Sequence, residues 1–178
     1  MRVIAGRYKG RRLAAPAGPD TRPTSDRTRE ALFSVLGSRV EGARVLDLFA
    51  GSGALGIEAL SRGASEATFV ETSPAALRSL RANLEPLDAA AETHRSDVRR
   101  FLGVASRAAR QYDLVFLDPP YRLAAPLGSV LSEALPAVLA PGAVVVSESD
   151  RRSPLALDLP LLDERRYGDT LIRIHGSR

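Results

Sequence analysis

Residues 43–56, Ala43-Arg44-Val45-Leu46-Asp47-Leu48-Phe49-Ala50-Gly51-Ser52-Gly53-Ala54-Leu55-Gly56, decide the fold. The first four read as a short buried strand. Three glycines follow, and Ile57-Glu58-Ala59-Leu60 then reads as a helix that ends at Gly63. Strand, glycine loop and helix in that order form the pattern of a nucleotide-binding βαβ unit. Glycines permit positive φ and let a ligand come close to the backbone. A second predicted strand, Ala67-Thr68-Phe69-Val70, ends in Glu71, a carboxylate able to take two ribose hydroxyls.

The glycine pattern alone does not separate a dinucleotide from S-adenosylmethionine. The charge leans toward the latter. Asp47 stands at the strand end, where a dinucleotide fold would set a pyrophosphate against amide donors. A carboxylate there repels a pyrophosphate and favours a ligand with a sulfonium and an ammonium group. The competing role for Asp47 is a helix or loop cap.

A second stretch carries the chemistry. Tyr112-Asp113-Leu114-Val115-Phe116-Leu117 reads as a buried strand and runs into Asp118-Pro119-Pro120-Tyr121. Two prolines lack amide hydrogens and fix φ, so this loop offers carbonyl acceptors in a set geometry. Asp118 adds a side-chain acceptor and Tyr121 a stacking face. Together they suit a planar group bearing an NH2, such as a nucleobase with an exocyclic amine. The plainer reading is a proline-rich turn capped by Asp118.

Composition narrows the classes. At 178 residues the chain suits one domain with a proper core. It has no cysteine, hence no disulfide partner and no thiolate metal site, and its two histidines, His94 and His175, are far apart in sequence. No metal site is expected, and each histidine is expected at the surface or as a satisfied structural residue. No apolar run approaches a membrane span and no signal peptide is visible, so a cytoplasmic protein with no membrane partner is expected. Residues 1–30 hold eight cations against three carboxylates, a net +5, whereas the whole chain carries +4. The excess positive charge sits in the N-terminal arm, which suggests a polyanion partner.

The remaining chain falls into alternating elements. Residues 2–14 are expected as a small hairpin turning at Tyr8-Lys9-Gly10, and Pro16 to Pro23 as a connector. Thr24-Ser25-Asp26 should cap a helix through Leu36 that Gly37 stops. Ser73 and Pro74 should open the helix bearing Leu77, Leu80 and Leu84. A strand is expected over Ala91–Arg95, with Ser96-Asp97 capping a helix through Phe101. Leu127–Leu139 reads as a helix, Pro141-Gly142 as a turn and Ala143–Ser147 as a strand. Leu162–Tyr167 and Thr170–His175 should form a closing hairpin. The pattern implies an α/β fold with a mostly parallel sheet and a final antiparallel strand.

Taken in order, Arg22-Pro23-Thr24-Ser25-Asp26-Arg27-Thr28-Arg29-Glu30-Ala31-Leu32-Phe33, then Asp47 to Gly56, then Asp118-Pro119-Pro120-Tyr121, resemble the bacterial RsmD family. Its members are class I methyltransferases that modify N2 of guanine 966 in 16S ribosomal RNA. The resemblance spans nearly the whole chain, except Arg151–Pro160, which is less distinctive. It implies a Rossmann-like, seven-stranded, mostly parallel sheet with helices on both faces and a C-terminal antiparallel hairpin. It also implies a basic hairpin arm over residues 1–20 and a methyltransferase domain over 21–178. Asp47, Gly51 and Gly53 should line the methionine and ribose part of S-adenosylmethionine. Glu71 should hold the ribose hydroxyls and Asp97 the adenine amine, while Thr24 and Arg29 close over the methionine end. Arg2, Arg7, Lys9, Arg11, Arg12 and Arg22 are the expected RNA contacts. The implied partner is 16S ribosomal RNA, naked or within a small-subunit assembly particle.

The chemistry follows from the acceptors. Guanine N2 is a weak nucleophile because its lone pair is delocalised into the ring. Asp118 and the Pro119 carbonyl can accept both amine hydrogens and stabilise positive charge as it develops. Two rivals stay open: a DNA methyltransferase acting on adenine N6 or cytosine N4, and a non-catalytic RNA-binding assembly factor. The first usually needs a target-recognition domain for which the chain has no spare length. An NAD-dependent enzyme is a more distant reading.

Overall fold

The structure is a computed structural model in which residues 1–15 and 25–177 are described, with only the backbone described for 121–125. Strand β1 (Arg44–Asp47) is followed by helix α2 (Ala54–Ser61), β2 (Glu66–Glu71), α3 (Pro74–Leu84), β3 (Ala91–Arg95) and α4 (Val98–Arg107). Then come β4 (Tyr112–Leu117), α5 (Tyr121–Ala134), β5 (Leu139–Asp150), β6 (Leu161–Tyr167) and β7 (Thr170–Gly176). Helix α1 (Asp26–Leu36) precedes β1.

The seven strands form one sheet in the order β3-β2-β1-β4-β5-β7-β6. Strands β1 to β5 are parallel, and β7 runs antiparallel between β5 and β6. The expected Rossmann-like architecture and closing hairpin are therefore present. The chain passes outward from β1 to β3 on one side, then returns to place β4 on the other. A crevice opens at such a reversal, outside the carboxyl ends of the strands. Asp47 pairs in register with Phe69 on one side and Phe116 on the other, so it stands at that crevice.

Alternation along the strands divides the core into two layers. Val45, Phe69, Phe116, Ile172 and Ile174 pack on one face with Leu32, Phe33, Ile57 and Leu80 of α1, α2 and α3. Leu46, Val70, Val115 and Val145 pack on the other with Phe101, Leu102, Leu131 and Leu135, around α4 and α5. Each such side chain, when fully buried, contributes roughly 1.5–3 kcal/mol. That burial holds the strand ends in a fixed register.

Caps agree with the sequence. Ser25 accepts from the Thr28 amide, Ser73 from Ala76 and Asp97 from Arg100. Gly37, at φ 53°, ends α1. Two boundaries differ. Helix α5 begins at Tyr121, six residues before the expected Leu127, and carries Pro126 inside it. Pro126 lies in the second turn, where it removes one amide bond and its ring crowds the carbonyl four residues earlier, so the sequence argues against a helix running through it. Pro141-Gly142 does not separate two elements but lies inside β5. The register against β4 slips there, between Tyr112↔Leu139 and Leu114↔Val144, and Gly142 at φ 76° absorbs the irregularity.

The N-terminal residues form a turn closed by the Arg2↔Arg12 bridge. This segment is docked onto the sheet-covering helices. Val3 and Leu13 are 1% and 5% exposed and belong to the core. Glu58 of α2, itself fully buried, accepts the Ile4 and Ala5 amides at 2.8 and 3.1 Å. Ser61 accepts the Arg7 amide at its carbonyl and the Tyr8 amide at its Oγ.

Candidate active site

Asp47 is 2% exposed at the end of β1. One oxygen accepts the Gly56 amide at 3.2 Å, within the first turn of α2. The cap role weighed for this residue is therefore real. The Phe49 amide also helps to hold the carboxylate. These bonds do not offset the loss of water. Burial, followed by the nearby Glu71 charge, pushes the Asp47 carboxyl up to about 7. A carboxylate so poorly provided for would be relieved by a cationic ligand.

Glu71 is the opposite case. One oxygen accepts the Gly51 amide at 2.9 Å and the other the Thr72 and Ser73 amides, each at 2.8 Å. It pins the glycine loop to β2. The loop also straddles the crevice through its backbone: Leu48 donates to Phe116 of β4 and Ala50 to Val70 of β2, both at 3.1 Å. The three glycines divide by what a Cβ would meet. At Gly51, φ 54°, it would meet nothing within 4 Å. At Gly53, φ 84°, it would lie 2.4 Å from Leu80 Cδ1, and at Gly56 2.3 Å from the Phe69 ring. Gly51 therefore faces open space, as close approach of a ligand requires. Gly53 faces the core, so its side chain position is needed by Leu80 and Phe69.

Asp97 caps α4, its Oδ1 taking the Arg100 amide at 2.9 Å. Its position just past β3 aligns it with Glu71, since Glu71 pairs with Arg95. Asp118 follows β4 directly and is half-buried, with Pro119 buried and Pro120 exposed. Phe116 lies level with Asp47, so Asp118 begins just beyond the crevice, across it from the glycine loop. Tyr121 opens α5, but its side chain lies outside the described residues. The structure thus brings Asp47, Gly51, Glu71, Asp97 and Asp118 to one edge of the sheet.

Other expected site residues stand elsewhere or lie outside the description. Thr24 and Arg22 are among the residues not described. Arg29 is fully buried against the N-terminal segment. It donates to the Arg2 carbonyl, pairs with Asp26 at 3.0 Å and approaches Glu58 at 3.9 Å. Burial lowers its pKa, opposed by Glu58 and Asp26. Among the arm cations, Arg2 pairs with Asp26, Arg7 with Asp88, and Arg11 donates to the Pro86 carbonyl. Lys9 and Arg12 are exposed. His94 meets Glu92 at 3.2 Å, and His175 is buried with Nδ1 3.2 Å from the Leu159 carbonyl. Among the described residues no cluster of side chains is suited to a metal ion, and no helix is long and apolar enough to cross a membrane.

Sequence reasoning missed Asn83. It is 5% exposed, donates to the Ser52 and Ala14 carbonyls at 2.9 and 3.0 Å, and accepts the Ala14 amide at 2.8 Å. It clasps the glycine loop to the N-terminal segment. The available signal was an amide on the same helical face as Leu77, Leu80 and Leu84, where an apolar residue is expected.

The family described as Conserved hypothetical protein 95 matches residues 1–176. The ribosomal RNA small subunit methyltransferase D of Haemophilus influenzae is 35% identical, over 98% of this chain and 93% of its own. The chain belongs to the RsmD family of methyltransferases. A Bacillus subtilis protein, YlbH, provisionally named an rRNA methyltransferase, is 40% identical over the full length of both chains. Among solved structures, a Thermus thermophilus protein described as hypothetical is 32% identical, covers 98% of each chain and superposes with a TM-score of 0.85. The 16S rRNA N2 G1207 methyltransferase of Thermus thermophilus, RsmC, was solved with AdoMet and guanosine. It is 25% identical with a TM-score of 0.68, over 89% of this RsmD-family chain and 45% of its own.

Proposed function

We propose that the protein transfers a methyl group from S-adenosylmethionine to the exocyclic N2 of a guanine in 16S ribosomal RNA. The observation that carries this reading is the pair of loops facing one another across the β1–β4 crevice. One holds an under-solvated carboxylate beside an open glycine, the other an acidic residue followed by two prolines. The likeness to a guanine-N2 methyltransferase solved with AdoMet and guanosine supports the same assignment.

The residues fit the cofactor. S-adenosylmethionine, when bound, supplies an electrophilic methyl on a cationic sulfur. Asp47 binds the cationic methionine end, and its raised pKa falls as that charge replaces lost water. Gly51 gives the ligand access to the backbone. Glu71, already fixed by three amides, receives the ribose hydroxyls, and Asp97 accepts from the adenine amine. Thr24 is assigned to the methionine end; Arg29, buried against the N-terminal segment, is not.

On the other side of the crevice, Asp118 and the Pro119 carbonyl accept the two hydrogens of the guanine amine. Their grip aims the nitrogen lone pair at the methyl group and stabilises the charge that develops on nitrogen. Tyr121 stacks on the base, which leaves its helix or loop to enter the pocket. In the in-line displacement the carbon–sulfur bond would break as the carbon–nitrogen bond forms, a neutral thioether would leave, and the methylated nitrogen would give up one proton to Asp118 or to water.

The test is labelled methyl transfer to small subunits from a strain lacking the gene, followed by nucleoside mass spectrometry, with duplex DNA in parallel. N2-methylguanosine in the 16S RNA is expected. Label in an adenine or cytosine of the DNA, or in another ribosomal nucleoside, would overturn the assignment.

A further inference from the structure

Basic side chains flank the crevice on two sides, and the N-terminal arm is one of them. Arg7 and Tyr8 sit on Ser61, the last residue of the eight-residue α2. About 12 Å of helix axis separates them from the glycine loop. Arg7 and Arg11 are also engaged with Asp88 and the Pro86 carbonyl, near the end of α3.

The far side of the crevice is different. A hollow of about 410 Å³ is lined by Arg151, Arg152, Glu164, Arg166 and Arg173, with Leu171 and Pro154. Its place follows from the register. Leu117, the residue before Asp118, pairs with Ser147 of β5, and Ser147 pairs with Arg173 of β7. Arg173 is therefore level with the end of β4 and two strand spacings away, or about 10 Å. Glu164 pairs with Arg173 and Arg166 with Leu171, so these side chains share one face of the sheet. Arg151 and Arg152 follow the last residue of β5 at the same edge.

The four guanidiniums share two carboxylates. Arg151 and Arg152 reach Asp169 at 3.2 and 3.6 Å, and Arg166 and Arg173 reach Glu164 at 3.0 and 2.9 Å. Asp150 is also present, taking the Arg152 amide at 2.8 Å. With Asp150 counted, four guanidiniums face three carboxylates, one positive charge in excess. The side chains of Arg152 and Arg166 are each 72% exposed. Ion pairs so exposed contribute little to stability. A guanidinium has five donors in a planar fork that matches phosphate, and one carboxylate shared by two arginines leaves donors to spare.

We infer that this groove binds the backbone phosphates of the RNA flanking the base held by Asp118. The inference rests on the guanine-methyltransferase reading above. The carboxylates hold the arginines in place and yield part of that pairing when phosphate arrives.

The test uses the full chain and an R152Q/R166Q double variant, with R7Q/R11Q as the comparison. Binding to a single-stranded 16S RNA fragment is measured across a salt series, beside cofactor affinity, thermal unfolding and methyl transfer. Each lost phosphate contact should flatten the log–log salt slope by about 0.7–0.9, so R152Q/R166Q should lose roughly 1.4–1.8. Its KM for RNA should rise about tenfold, with cofactor affinity unchanged and the unfolding temperature close to that of the parent. R7Q/R11Q should move the slope less. An unchanged slope in R152Q/R166Q overturns the groove. The groove is equally overturned if RNA binding holds but binding to small-subunit particles is lost, which would assign the arginines to a protein partner. Absence of methyl transfer by the parent itself would strike the guanine reading instead, and the RNA slope would still judge the groove.

Discussion

The two sides of the β1–β4 crevice are built by different means. On the β1–β2 side the loop is pinned by its own backbone, with amides of Gly51, Gly56, Thr72 and Ser73 fixing two carboxylates. On the β4–β5 side two consecutive prolines set the course of the chain, and Pro119 is buried. The first side is preorganised by hydrogen bonds and bears a carboxylate whose burial shows as a raised pKa. The second is preorganised by covalent restriction and, on the proposed reading, offers carbonyl acceptors to an incoming amine. One side suits a cation, the other a neutral amine becoming positive.

Replacing residues on the first side should separate its structural from its binding parts. Gly53→Val should have the largest effect, because the new side chain enters Leu80 and Phe69 at positive φ. Overpacking and backbone strain together should cost about 3–5 kcal/mol. The sequence places Gly53 along the ligand, whereas a Cβ here would point into the core. Chemical denaturation checks this cost; a variant as stable as the parent but unable to bind cofactor would restore the sequence-based view.

Asp47→Asn should come next. In the folded protein this carboxyl holds its proton up to about pH 7, against an ordinary value of 3.8. Between those values the folded state binds more protons than the unfolded one, so stability falls as pH rises from about 4 to about 7. The amide has no such charge to bury. The variant should match the parent near pH 4 and exceed it by about 2–4 kcal/mol at pH 8, while losing cofactor affinity. Parallel stability curves across that window would mean Asp47 is not starved of partners.

Gly51→Ala should have the smallest effect on stability. Its Cβ meets no atom within 4 Å, so only the cost of positive φ at 54° applies, about 1–2 kcal/mol. Cofactor affinity should fall by more than that strain explains. Calorimetry on the folded variant decides this, and unchanged affinity would remove Gly51 from the ligand's path.

Much of this organisation was legible in the chain. The apolar runs at Val45, Phe69 and Phe116 are strands buried on both faces, and Ser25, Ser73 and Asp97 cap as their residue types suggest. The acidic strand ends gathered as expected because parallel strands share a carboxyl edge. What stayed hidden depended on distant contacts. Arg29 is expected over the methionine end of the ligand, yet Asp26, Glu58 and the Arg2 carbonyl make a buried place for it. Residues 1–20 read as a basic hairpin arm, yet Val3 and Leu13 complete the core. Its removal would leave Glu58 buried without two of its donors, so truncation would not probe RNA binding alone. Residues 151–160 lacked any pattern, yet Leu155 and Leu159 are buried, and the Ala156 carbonyl would lie 2.4 Å from a Cβ at Gly128.

The division of labour across the crevice is tested most directly by Asp118→Ala. S-adenosylmethionine binding by calorimetry and single-turnover methyl transfer to small subunits would be measured on the same preparation. Loss of one acceptor for developing charge should slow transfer by about 10²–10³ and leave the cofactor Kd within about twofold of the parent. Transfer at the parental rate, or a Kd weakened in step with the rate, would contradict the assignment of this side to the base.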